Sequence, residues 1–179
     1  MTGTTTIENN QMSTLTAGTT KNGIMINRNV LPTGFTGLSF SFWFSATSLA
    51  GGNYPFLTTL QDAVAYPSGV RYYISINPSK YITINSQMNS STLLTVNTLY
   101  HIAIVITSTG SPNTTLYINN VSQTGTTTYP TFTNASGYNS ISRDPAGDGL
   151  IGTIDDYGLH KRALTAGEVN TSYLAGRSS

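Results

Sequence analysis

Two aspartates, Asp155 and Asp156, stand side by side in a chain that holds only seven acidic residues. Paired carboxylates invite two chemistries, cation binding and glycoside hydrolysis. Ca²⁺ takes about six to eight oxygens, several of them from carboxylates or backbone carbonyls. Asp155 and Asp156 are the candidate ligands, with Asp155 the better placed. A second acidic pair, Asp144 and Asp148 in RDPAGDG, lacks the spacing of an EF-hand loop and suits Asx-turns. Zinc is a poor fit, because His101 and His160 are the only histidines and the chain has no cysteine. Hydrolysis needs two carboxyls flanking the scissile bond, about 5 or about 6.5–9.5 Å apart. Adjacent residues on a regular strand point to opposite faces, and the only glutamates are Glu8 and Glu168. No Gly-x-Ser-x-Gly elbow is present either. The expectation is a chain that is not an enzyme.

Recognition of sugars asks for different residues. A flat aromatic face meets the C–H groups of the ring, while amides, hydroxyls and a few charges meet its hydroxyls. Eleven tyrosines against one tryptophan supply a polar kind of aromatic surface. The ligand-binding candidates are Arg71, Tyr73, Ser75, Asn77, Tyr81, Tyr117 and Asn119, all on the non-core parity of strands or at their ends. Tyr54, Tyr66, Tyr129 and Tyr138 add loop tyrosines. Because strand surfaces favour tyrosine for reasons unrelated to ligands, parity alone marks these residues as candidates and no more.

The elements that must position these groups are short and alternating. In LSFSFWFS, Leu38, Phe40, Phe42 and Phe44 share one parity against Ser39, Ser41, Trp43 and Ser45. In VRYYISIN, Val70, Tyr72, Ile74 and Ile76 oppose Arg71, Tyr73, Ser75 and Asn77. The NPSK turn and YITIN then complete a hairpin over residues 70–85. LYHIAIVIT (99–107) is apolar on both parities, which predicts a central strand covered on both faces. There His101 reads as a buried, hydrogen-bonded imidazole, and Trp43 as packed beneath a loop. STGSPN leads into TTLYINN as a second hairpin. GIMIN (23–27), FLTTL (56–60), YNSIS (138–142) and LIGTIDDYGL (150–159) supply further strands, about ten in all.

In the last of these, Ile154, Tyr157 and Leu159 read as core-facing, although the first step is three residues and not two. A β-bulge at Asp155 and Asp156 resolves the mismatch and re-aims the side chains there. Carboxylates at such a bulge can accept bonds from unpaired backbone N–H groups. Thr165-Ala166-Gly167-Glu168 then forms a capping box, with Leu164 and Val169 as its hydrophobic staple. Tyr173 and Leu174 continue the apolar face, and Gly176 marks the stop. Glu168 is therefore a structural residue.

Composition narrows the function further. Only 8% of the 179 residues are charged and the net charge is +1. The scattered cations give no patch for phosphate, which excludes nucleic acid as the main partner. No apolar run approaches the ~18 residues of a membrane span, so no membrane insertion is expected. MTGTTTIENN has no apolar h-region and does not read as a signal peptide. Asn89, Asn113, Asn120, Asn134 and Asn170 each open a sequon, informative only on a eukaryotic secretory route. No linker or repeat divides the chain, so residues 1–179 are expected to form one domain.

FSFWF, LYHIAIVI with TLYINNV, and GTIDDYGLHKRALTAGEV together resemble the laminin G-like domains of the concanavalin A-like lectin/glucanase superfamily. Phe40, Phe42 and Trp43, then Tyr100 and His101, Leu116 to Val121, and Gly152 to Glu168 carry the likeness, which spans roughly residues 20 to 175. Three positions depart from the pattern. Asn120-Val121 stands where Asn-Gly is usual, Gly158 replaces an arginine, and TKNG lies where FDG is expected. The resemblance implies an all-β, two-sheet antiparallel jelly-roll sandwich with one short C-terminal helix. It also implies binding of glycans or surface glycoproteins, with Ca²⁺ in some relatives, and a place at the extracellular, cell or virion surface. The reading is a non-catalytic carbohydrate-binding module. The alternative is a structural or protein-interaction domain of a capsid, fibre or surface assembly.

Overall fold

The computed structural model describes residues 13–15, 24–26, 34–49, 55–61, 71–132, 138–142 and 149–176. They form twelve strands and one helix: β1 (Ser13–Leu15), β2 (Ile24–Ile26), β3 (Gly37–Ala46), β4 (Phe56–Gln61), β5 (Arg71–Ile76), β6 (Ile82–Ile84), β7 (Met88–Asn89), β8 (Leu99–Thr107), β9 (Thr114–Ile118), β10 (Val121–Gly125), β11 (Tyr138–Ile141), β12 (Gly152–His160) and α1 (Ala166–Gly176). Two six-stranded sheets result. Sheet A runs β1-β12-β3-β8-β9-β10 and sheet B runs β2-β11-β4-β5-β6-β7. Every strand pairing is antiparallel.

The sandwich forms because the alternating apolar parities meet face to face. Leu38, Phe40, Phe42 and Phe44 of β3, with Ile102, Ile104 and Ile106 of β8, are buried in one cluster with Tyr72, Ile74 and Ile76 of β5. Phe40 stacks on Tyr72 across the two sheets, with interplanar angle 4°. The expected hairpins are present: Ile74 pairs with Ile84, and Ile104 with Leu116. β1, β7 and β10 were not anticipated. They are short, and the last two lack a run of inward apolar residues.

The register of β12 slips between Asp155 and Gly158, where the step of three placed a bulge. Asp156 takes φ +49, a left-handed conformation that aspartate tolerates better than most residues. Asp155 Oδ1 accepts the Asp156 N–H at 2.9 Å. The kink turns Tyr157 into the core, where it stacks against Phe42. Its hydroxyl lies 2.8 Å from Thr58 Oγ1 and accepts a bond from Asn139 Nδ2 at 2.8 Å. The doublet thus interrupts the β12–β3 ladder, which resumes at Gly158, so that one phenol can reach strands β4 and β11 of sheet B.

The capping box forms as the spacing predicts. Glu168 accepts from the Thr165 N–H, and the Glu168 N–H donates to Thr165 Oγ1. Arg162 adds a bidentate pair to the same carboxylate. These partners, the Arg162 bond first, hold the Glu168 carboxyl down at about 2. Leu164 and Val169, the staple pair, pack with Ala103 and Val105 on the outer face of sheet A. The helix therefore covers the second face of β8, as its two-sided apolar pattern required. Trp43 is buried by this helix, where a loop had been expected: its indole stacks on Tyr173 at 5.7 Å. A Cβ on Gly176 would lie 2.0 Å from Trp43 Nε1, so only glycine admits the indole there.

Candidate functional site

Outward parity on β5, set by the inward Tyr72, Ile74 and Ile76, places Arg71, Tyr73 and Ser75 on the outer face of sheet B. Tyr73 pairs with Thr59 of β4 and Arg71 with Gln61. On the other side Ser75 pairs with Thr83, and Thr83 with Asn89. The face is therefore a grid of hydroxyls and amides. At its centre the Arg71 guanidinium lies 4.5 Å from the Tyr73 ring centroid and 4.7 Å from that of Phe56. Phe56 meets Tyr73 edge-on at 5.3 Å. A cation over aromatic faces is held by the ring quadrupole and keeps both rings in fixed planes. The Tyr73 hydroxyl is anchored 2.6 Å from Ser86 Oγ. Ser75 and Thr59 are fully buried, and neither hydroxyl oxygen has a hydrogen-bond partner.

Asn77 and Tyr81 stand at the end of the same hairpin. Asn77 Oδ1 accepts the Tyr81 N–H at 3.0 Å, and its amide donates to Asn89 Oδ1 at 3.2 Å. Asn77 thereby closes the turn and borders the face. Tyr81 is half-buried beside it. Five of the seven candidates thus belong to one side of the molecule.

The other two do not. Tyr117 and Asn119 lie at β9 on sheet A, across the sandwich. Tyr117 packs against the cluster beneath α1. Asn119 has φ +51 and accepts the His101 N–H at 2.9 Å through its side chain. Parity alone could not separate these residues from Arg71 and Tyr73, because it reports inside or outside without saying which sheet. Phe56 was missed for a related reason. It falls out of the inward parity of Thr58 and Leu60 because β4 slips register between Phe56 and Thr58. No sequence signal marks that bulge.

Of the remaining candidates, Tyr129 donates its hydroxyl to the Phe35 carbonyl and packs against the core. Tyr138 lies on β11. Tyr54, Tyr66, Asp144 and Asp148 lie outside the described residues. His101 is buried as expected, 3.3 Å from Ser172 Oγ, and loss of water lowers its pKa to about 4. It is neutral at physiological pH.

At the doublet, Asp155 is half-buried and Asp156 exposed. Partial loss of water and then the Asp155 charge push the Asp156 carboxyl above its usual range. Among the described residues no group of three or more His, Cys, Asp or Glu side chains comes together. Two carboxylates, one of them bonded to a backbone amide, are far from the about six to eight oxygens of a calcium site. The described residues do not by themselves fit the ion.

Gly158, where the resemblance expects arginine, makes room for a neighbour. A Cβ there would lie 2.8 Å from His160 Nε2.

Several solved structures share this architecture. Domain 4 of AbnA, an extracellular arabinanase from Geobacillus stearothermophilus solved with arabinotriose, matches with TM-score 0.62 at 17% identity, covering 85% of this chain and 72% of that one. A heptameric SAP-like pentraxin from Limulus polyphemus matches with TM-score 0.65 at 14% identity, covering 90% and 80%. Trypanosoma rangeli sialidase, solved with sialic acid, matches with TM-score 0.61 at 14% identity, covering 87% of this chain and only 28% of the sialidase. At these identities the likeness is one of fold. No curated protein matches by sequence. A laminin G family model, described as the Concanavalin A-like lectin/glucanases superfamily, matches residues 18–170. With nearly the whole chain matched and the two-sheet sandwich in place, the protein belongs to the concanavalin A-like lectin/glucanases superfamily.

Proposed function

We propose that this protein is a non-catalytic carbohydrate-binding module that holds a glycan on the outer face of sheet B. The observation that carries the reading is the Arg71 guanidinium set over Phe56 and Tyr73, on the same side of the molecule as Asn77, Tyr81 and the exposed Asn89 at the hairpin end. Fixed aromatic planes beside accessible amides and a hydroxyl are what a sugar ring requires. Arg71, Tyr73, Asn77 and Tyr81 are its ligand-facing set, with Ser75 buried among them, and among the described residues the paired carboxylates of a glycosidase have no counterpart on this face. The sugar-bound arabinanase domain and sialidase share its fold, which supports the ligand class without naming the sugar. The module works outside the cell, at a cell or virion surface.

A glycan array followed by titration of the best hit tests this. Tyr73→Ala and Arg71→Ala each weaken binding at least tenfold while melting stays within a few degrees of wild type. Unchanged affinity in both variants removes the site from this face.

A second reading draws on Leu93, Val96 and Leu99, large apolar side chains exposed between β7 and the start of β8. These suit contact with protein neighbours in a capsid, fibre or surface assembly. No signal on the array, with stable association in solution, favours it.

A further inference from the structure

Four residues of β4 and β5 make a square on the outer face of sheet B. Phe56 stands opposite Ser75, and Thr59 opposite Tyr73. The two rings take one diagonal and meet edge-on at 5.3 Å. The two hydroxyls take the other. Thr59 and Ser75 are 0% exposed although they face outward, and neither oxygen finds a hydrogen-bond partner. A buried hydroxyl left unmet lowers stability, and each one in a native fold calls for a reason. Valine and alanine would fill the same two places without that cost.

The side chains beside them divide in two. Phe56 is buried and held at the bulge of β4. Tyr73 and Arg71 are half-buried, both spring from β5, and the guanidinium lies over the Tyr73 ring. The Tyr73 hydroxyl is tied to Ser86 Oγ on an exposed residue, where water can take over the bond.

We infer that Tyr73 and Arg71 form a lid and that Thr59 and Ser75 are the floor beneath it, a specificity site for two hydroxyls of a single sugar ring. Turning the Tyr73 ring outward bares Thr59, its cross-strand neighbour, and Ser75, two residues along the same strand. Phe56 stays as the wall. Each floor hydroxyl can then donate and accept, as a sugar hydroxyl does. Diagonal neighbours on adjacent strands lie about 7 Å apart, which suits hydroxyls on opposite sides of one ring and not those of adjacent carbons. The fold leaves both oxygens unmet, so their bonds form only with ligand and binding selects the open lid. The ligand of the floor rests on the carbohydrate reading above; the lid itself does not.

The chain has no cysteine, so Ser75→Cys gives it a single thiol. Iodoacetamide should alkylate that thiol at least about a hundredfold faster than global unfolding, followed by Trp43 emission, exposes it. Tyr73→Phe unties the lid from Ser86 and should raise the rate at least about threefold. Thr59→Val and Ser75→Ala should melt no lower than wild type, because each removes a hydroxyl that the fold leaves unmet. On an array of printed oligosaccharides that includes arabinotriose and sialosides, the same two variants should bind the glycans that wild type binds at least tenfold more weakly. Labelling no faster than unfolding would mean a sealed floor and overturns the inference. So does a melting loss of several degrees in both variants, which would assign the hydroxyls to the fold, or wild-type affinity in both. An array on which the wild-type chain binds nothing refutes the carbohydrate reading and the ligand of the floor with it, while fast labelling would still establish the lid.

Discussion

Removing one oxygen at Tyr157 tests whether the acidic doublet exists to aim that side chain. The phenol sits in a closed triad. Its hydroxyl is 2.8 Å from Thr58 Oγ1, accepts from Asn139 Nδ2 at 2.8 Å, and lies 3.1 Å from Asn139 Oδ1. Thr58 and Asn139 are both buried. Tyr157→Phe leaves Thr58 Oγ1 with its bond to Asn139 Oδ1, but it leaves the Asn139 amide N–H₂ without the partner that Tyr157 supplied. A buried donor left unmet costs about 1–3 kcal/mol. In a domain of this length that lowers the melting temperature by roughly 2–10 °C. Urea unfolding should show a lower midpoint at unchanged slope, because the exposed surface does not change. A cycle with Thr58→Val should be non-additive by at least about 0.5 kcal/mol, since the hydroxyls are direct partners. The phenol also gives a pH signature. Burial raises its pKa to about 12 from 10.0, so the folded state holds the proton while the unfolded chain releases it. Its stabilisation is complete below about pH 10 and is lost as pH rises through 12, and the phenylalanine variant should lose that part of the slope. A variant within about 0.3 kcal/mol of wild type, or an additive cycle, would show that the bulge does not serve this triad.

Gly176→Ala drives a methyl into the Trp43 indole and should lift the end of α1. The single tryptophan reports it directly, as a red shift in emission with a loss of about 1–3 kcal/mol. An unshifted spectrum would mean that the helix end does not seal Trp43. His101, with its pKa lowered to about 4, stabilises the fold fully above pH 6.5 and progressively less as pH falls through 4. Melting temperature should decline across that window, and His101→Gln should flatten the decline; an equal decline in the variant would assign it elsewhere. Chelation with EDTA should leave melting unchanged, because the described carboxylates do not assemble a calcium site, and a drop of several degrees would show a bound ion.

Much of the architecture was legible because burial writes itself into a two-residue period. Phe40, Phe42 and Phe44 could face only inward together, and the step from Ile154 to Tyr157 could be absorbed only by an extra residue. The helix start was equally local, since Thr165 and Glu168 satisfy each other's backbone amides within one turn. The candidate site was legible only in part. Arg71, Tyr73 and Ser75 share a strand, so their common face followed from parity. Tyr117 and Asn119 share the parity and not the sheet.

The alternation of side chains thus determined, by itself, which residues are inside, where β12 breaks step and where α1 begins. Those are consequences of neighbours in the chain competing for the same apolar layer or the same amide. Tertiary structure alone decided that Phe56 joins Arg71 and Tyr73, that the helix and not a loop shelters Trp43, and that β10 stands at an open edge. Each of these depends on strands distant in sequence coming into register. That register is set by the packing of whole sheets, which no local spacing encodes.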